Sequence, residues 1–138
     1  MVDARRIRWD EEDKVLYDEL RHSTGPFKNI ELVDLFSLAL AYGKQEGVRT
    51  PIGKKPEGRI RESTIDNTNI RFLMMAIAVE EVGNIDVLLD QNEYFTISEE
   101  YAKTGIRILY SDFKELGNEI LDDMELNLIE FIEEEIEE

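Results

Sequence analysis

From Ile106 to Ile136 the apolar residues fall at three- and four-residue steps: Ile106, Leu109, Phe113, Leu116, Ile120, Met124, Leu128, Phe131 or Ile132, and Ile136. That spacing lines one face of a helix and no face of a strand. It predicts a long C-terminal amphipathic helix of about 30 residues, about 45 Å if unbroken. Gly117 is its weak point, a kink or a break between two helices. A stripe of this kind must be buried against something, and the rest of the 138-residue chain offers further helices. That length predicts a single domain, 1–138, able to build a core without staples. With no Cys, disulfides, thiolate zinc sites, iron–sulfur clusters and a Cys nucleophile are excluded.

The remaining elements follow from punctuation and period. Asp10-Glu-Glu-Asp suits the positive end of a first helix, with Val15, Leu16, Tyr17 and Leu20 on its apolar face. Ser23-Thr-Gly-Pro should end it. A second helix is expected from about Ile30 to Lys44, where Leu32, Leu35, Phe36, Ala39 and Leu40 keep helical spacing. Val33 and Leu38 widen that face, so this helix should be buried on more than one side. Asp66-Asn-Thr-Asn caps a third helix, Ile70–Val82, the most apolar element and the expected centre of the core. Ile85–Leu89 reads as a short helix, and Thr96 or Ser98 as the cap of one running through Tyr101. Between the second and third helices, residues 47–66 read as a long basic Gly/Pro loop, broken by Gly47, Pro51, Gly53, Pro56 and Gly58. Its second half, Gly58-Arg-Ile-Arg-Glu-Ser-Thr-Ile, alternates like a strand but would need a partner strand. The fold class is therefore mainly α: a compact helical domain with a basic arm at 1–9, the loop at 47–66 and an acidic helical tail at 118–138.

Charge divides the chain. Residues 1–71 hold 13 basic and 13 acidic residues, whereas 72–138 hold 3 against 19, so the net charge of −16 lies in the second half. That balance opposes duplex binding by the whole surface but permits a local basic patch. Lys44, Arg49, Lys54, Lys55, Arg59 and Arg61 form one, and Arg5, Arg6 and Arg8 form another that ends at the only Trp, Trp9. These nine are the candidates for contact with nucleic acid or a partner, since flexible cations beside Gly and Pro suit phosphate contact. Arg59 and Arg61 would point to the same side of an extended segment. The competing reading is that they pair with the chain's own acidic half. An alternative function lies in the tail, whose ten acids and no base suit an acidic interaction surface or a DNA mimic. As a helix of about 31 Å it would carry roughly half the charge density of duplex DNA. A solvated helix face explains the same pattern.

Signs of catalysis are weak. His22, the only His, sits at a helix end where a cation is favourable, with no nucleophile elbow beside it. Glu80-Glu81, Glu99-Glu100 and Asp122-Asp123 could serve a metal-dependent hydrolase, but no ExxH, HExxH or DxDxDG spacing accompanies them. Gly53-Lys54-Lys55 lacks the phosphate-loop spacing. No catalytic residue, metal ligand or cofactor is assigned. The opening MVDARRIRWDEEDK has no apolar stretch behind it, and the longest apolar run, Phe72–Val79, falls far short of the ~20 residues of a membrane span. A cytoplasmic protein without membrane association is expected.

Several segments carry a family resemblance. Arg5-Arg-Ile-Arg-Trp-Asp before a helix, Gly25-Pro-Phe-Lys, and Leu35-Phe-Ser-Leu-Ala-Leu-Ala-Tyr-Gly-Lys-Gln-Glu-Gly-Val-Arg-Thr-Pro are similar to the small proteins associated with the DNA phosphorothioation (Dnd) system. So are Met75-Ala-Ile-Ala-Val-Glu-Glu-Val-Gly-Asn-Ile-Asp-Val-Leu-Leu-Asp and Glu99-Glu-Tyr-Ala-Lys-Thr-Gly-Ile. The likeness covers roughly residues 5–110 in order and leaves the tail after Gly117 outside. It implies a prokaryotic defence setting, in which other proteins place sulfur on the DNA backbone or restrict unmodified DNA. It implies an accessory role, with no catalytic residues to carry over. The expected partners are other proteins of the phosphorothioation/restriction system or DNA itself, and the long amphipathic helix leaves room for a homodimer.

Overall fold

The computed structural model describes residues 5–22 and 25–137, and the side chains of these except 118, 131 and 135–137. The order of elements is β1 (Ile7–Trp9), α1 (Glu11–Leu20), α2 (Leu32–Glu46), β2 (Glu57–Ile60), α3 (Glu62–Asp66), α4 (Ile70–Val82), a 3₁₀ turn (Ile85–Leu89), α5 (Gln91–Leu116) and α6 (Ile120–Glu137). The mainly α expectation holds. No helix among the described residues is long and apolar enough to cross a membrane.

The centre of the core is α5, not α4. Helix α4 buries Ile70, Met74, Ile77 and Ala78 and leaves Phe72 70% exposed. Helix α5 is buried from Ile97 to Ile106 except at the half-buried Glu100. The most apolar helix is not the central one, because the buried stretch of α5 contains Glu99, Lys103 and Thr104, each of which finds a polar partner inside the fold. Helix α2 lies along α5, burying Leu35, Phe36, Ala39 and Leu40. The two backbones touch at glycines: a Cβ on Gly43 would sit 1.7 Å from the Tyr101 carbonyl oxygen, and one on Gly105 1.6 Å from that of Ala39. Only glycine admits so close an approach.

Helix α1 buries Tyr17 and Leu20, with Val15 turned outward at 53% exposure. Trp9 stacks on Tyr17 at 3.9 Å between ring centroids and faces Phe36 at 6.1 Å. The expected stop at Ser23-Thr24 lies outside the described residues; the helix gives way at Arg21. Helix α5 begins at Gln91, where the Asp90 carboxylate accepts the Glu93 N–H, so Thr96 and Ser98 are interior positions rather than caps. At Gly117, φ is +60° and the long apolar stripe breaks into α5 and α6. Phe131 and Ile136 of that stripe lie outside the described side chains.

The region 47–66 is not one long loop. Residues 48–50 run extended along α5: the Thr50 N–H donates to the Glu100 carbonyl and the Thr104 hydroxyl to that of Val48. Then come β2 and α3, which bury Ile60 and Ile65. The strand forms because residues 7–9 of the basic arm supply its antiparallel partner, in the register Ile7↔Ile60, Arg8↔Gly58 and Trp9↔Glu57. A bulge leaves Arg59 without an opposite residue. Ile7 and Trp9 are buried, so Ile7–Trp9 is a strand docked on the core and the described part of the expected arm does not project.

Candidate functional site

The nine candidate cations separate into two groups. Five are paired with the chain's own acids. Arg5 grips the buried Glu99 carboxylate with two hydrogen bonds, 2.8 and 2.9 Å, and lies 5.0 Å from the Phe95 ring. The Arg8 backbone N–H donates to the same carboxylate at 2.7 Å, and its guanidinium stands 3.6 Å away. These contacts pin β1 to α5. Arg49 bridges Glu100, at 2.6 and 2.8 Å, and Glu81, at 3.3 Å. Burial would lower its pKa, but the two carboxylates more than offset this and raise it. Lys44 pairs with Glu80 at 3.3 Å and lies over the Tyr101 ring. The bulge turns Arg59 toward Glu11, Glu57 and the Trp9 carbonyl, leaving its side chain 10% exposed.

Arg6, Lys54, Lys55 and Arg61 are exposed and make no ion pair among the described residues. They lie just outside the β-ribbon. Arg6 and Arg61 flank the Ile7–Ile60 pair, and the aliphatic stem of Arg6 crosses Gly58 so closely that a Cβ there would lie 2.7 Å from its Cδ. Lys54 and Lys55 precede β2, fixed by the Gly53 N–H donating to Asp10 Oδ2 at 3.0 Å. From Lys55 to Arg61 is about 20 Å of extended chain. Arg59 and Arg61 do not face one side as expected, since the first is paired with Glu11 and Glu57 and the second opens α3 facing solvent.

A second charged cluster is absent from the sequence-based candidates. Lys103, 5% exposed, places Nζ 2.6 Å from Asp10 Oδ2, 3.3 Å from Glu12 and 3.7 Å from Asp13. Arg107 reaches Asp13 at 3.3 Å and Glu12 at 3.0 Å. Burial pushes the Asp13 carboxyl up against the pull of Arg107 and Lys103. For Asp10, burial also pushes upward, but the Lys103 ammonium and the Gly53 N–H outweigh it and hold the carboxyl low. One signal could have revealed the cluster: a Lys and an Arg four apart, on either side of Gly105-Ile106 in a run otherwise fit for a core, require buried acids.

Asp10, Glu12 and Asp13 are the one group of three acids among the described residues close enough to hold a metal ion, with ligand atoms within 4.8 Å. The Lys103 ammonium already stands where such a cation would bind, so the arrangement is a structural ion network. The acid pairs considered from sequence serve elsewhere: Glu81 and Glu100 share Arg49, and Glu99 holds Arg5 and Arg8. A shallow depression of about 310 Å³, lined by Arg49, Val82, Asp90, Asn92, Glu93, Thr96 and Ile97, offers one cation, held by those same acids. His22 lies exposed just after α1.

A family model described as DNA sulphur modification system-associated protein 4 matches residues 6–138. The match includes the acidic tail, which lies outside the resemblance seen in the sequence segments. No curated protein and no solved structure matches the chain.

Proposed function

The chain belongs to the DNA sulphur modification system-associated protein 4 family, and from that premise we propose that it is a non-catalytic accessory protein of a DNA phosphorothioation system. Its contact with the system is the ribbon edge carrying Arg6, Lys54, Lys55 and Arg61. The observation that carries this reading is the sorting of the cations. The fold neutralises Arg5, Arg8, Lys44, Arg49 and Arg59 with its own acids and leaves these four exposed at the two ends of one ribbon, Arg6 and Arg61 at one and Lys54 and Lys55 before the other. A protein of net charge −16 has no need of unpaired cations for solubility. The ribbon fixes the spacing of the four, so their long side chains lose less freedom on binding than the same cations on a floppy loop. The surface suits an anionic partner face, either a protein of the system or the DNA backbone.

The test is co-purification of the tagged chain, expressed with the proteins of its own sulphur modification system, alongside gel-shift measurements on duplex DNA. Changing Arg6, Lys54, Lys55 and Arg61 together to Ala should abolish the association while leaving the fold intact, because none of the four is buried. Undiminished association of that variant would remove the ribbon edge from the account.

A further inference from the structure

Helix α6 leaves the body of the protein after its first turns. Ile120 is fully buried and Met124 packs against the core, but every described side chain from Glu125 to Glu134 is exposed. Among them are apolar residues that a solvated helix does not need: Leu128 is 58% exposed, Leu126 56%, Ile132 47% and Ile129 44%, with Leu121 at 44% two turns before Leu128. At 100° per residue Leu121, Leu128 and Ile132 share the side that Met124 begins, so the core stripe continues outward without a cover. Glu125 borders the stripe, with Asp122 and Glu133 beside it and Asp123, Glu130 and Glu134 behind, and residues 118–138 contain no base.

We propose that this stripe is a docking face for a basic amphipathic helix of another protein. The site is separate from the ribbon edge and does not depend on it. From Leu121 to Ile132 the stripe runs about 17 Å, three turns, the footprint of a helix laid into an apolar face through anchors at helical spacing. Charge selects the occupant. A second copy would bring ten acids against ten, a repulsion felt across the interface and strongest at low salt. A helix whose apolar face is flanked by Lys or Arg would instead be attracted to the acidic flank. Mimicry of DNA would use the acids alone and leave the stripe without a role.

The experiment uses the full chain and a fluorescent 18-residue peptide of Leu and Lys at helical spacing, followed by anisotropy. Binding in the micromolar range is expected, with no binding of the same pattern built from Leu and Glu. The triple variant Leu121→Gln, Leu128→Gln, Ile132→Gln keeps every charge and substitutes a good helix former. It should bind at least about tenfold more weakly, with unchanged circular dichroism. The alanine variant of Arg6, Lys54, Lys55 and Arg61 should bind the peptide normally, which separates this site from the ribbon edge. The proposal is overturned by any of three results: no binding of the Leu/Lys peptide, equal binding by wild type and the glutamine variant, or a micromolar dimer of the chain that the glutamine variant dissolves.

Discussion

Replacing Gly105 by alanine should destabilise this protein, although alanine is the better helix former by about 1 kcal/mol. The reason is the seam between α2 and α5. The added Cβ would stand 1.6 Å from the Ala39 carbonyl oxygen, 2.5 Å from its carbon and 2.8 Å from the Gly43 nitrogen. Ordinary contact begins near 3.5 Å, so the helices would have to part by about 2 Å. Forcing a flexible side chain into a packed core costs about 1–3 kcal/mol. Here the obstacle is the rigid backbone of α2, and parting it would loosen Phe36 and Leu40, so a net loss of about 3 kcal/mol is expected. For a chain of this size that lowers the melting temperature by about 10 °C. Thermal and urea unfolding, followed by circular dichroism and by the emission of Trp9, measure it. Gly43→Ala should behave alike, with its Cβ 1.7 Å from the Tyr101 carbonyl. Gly47→Ala meets nothing within 4 Å, and at φ +77° it should cost only the left-handed strain of about 1–2 kcal/mol. The effect has a sign as well as a size: a Gly105→Ala protein more stable than wild type would refute the close approach of the two helices.

Two further outcomes follow from the buried polar contacts. Glu99→Gln removes the carboxylate shared by Arg5 and Arg8. It should cost about 3 kcal/mol and shift Trp9 emission to the red as β1 loosens from α5; urea titration followed at Trp9 checks both. The Tyr101 hydroxyl is pushed up to about 12 by burial and by its hydrogen bond to Glu81. A phenol raised in this way stabilises the fold fully below pH ~10, and that contribution disappears as pH climbs through 12. Wild type should therefore lose about 2 kcal/mol between pH 10 and 12 that Tyr101→Phe, less stable at neutral pH, does not lose; denaturation at a series of alkaline pH values compares the two slopes.

Much of the helical architecture is visible in the amino-acid pattern. The run Ile70–Val82 is bounded by Asn69 and Gly83, and its helix has those limits. Gly117 interrupts a strict three-four period, and there the helix breaks. The left-handed Gly83 and Gly117 set these ends locally, whereas the expected capping of α4 is not found, since Asn69 makes no side-chain cap hydrogen bond. Pattern misleads where a residue's fate depends on a distant partner. The strand Glu57–Ile60 requires Ile7–Trp9, some fifty residues away. The centrality of α5 is masked by Glu99 and Lys103, which look solvated until Arg5 and Asp10 are brought to them. Composition is enough to find the basic candidates, but it does not tell a paired guanidinium from an exposed one. Arg59 and Arg61, two positions apart, end in opposite environments because a bulge turns the first toward Glu11. Pairing with the chain's own acidic half is the competing reading of the basic residues; it is the arrangement found for Lys44 and Arg49, whereas Arg59 pairs with Glu11 and Glu57 of the first half.

The proposed contact of Arg6, Lys54, Lys55 and Arg61 with an anionic partner surface should show in the salt dependence of binding. The affinity of the chain for the sulphur modification proteins that co-purify with it, or for duplex DNA, is determined from 50 to 300 mM salt with and without the four alanine substitutions. On a DNA backbone the slope of log affinity against log salt should fall by about 3 to 4, close to one for each cation removed. On an acidic protein face the variant's binding should be weak and nearly independent of salt. A variant that keeps the wild-type affinity and slope would contradict the account.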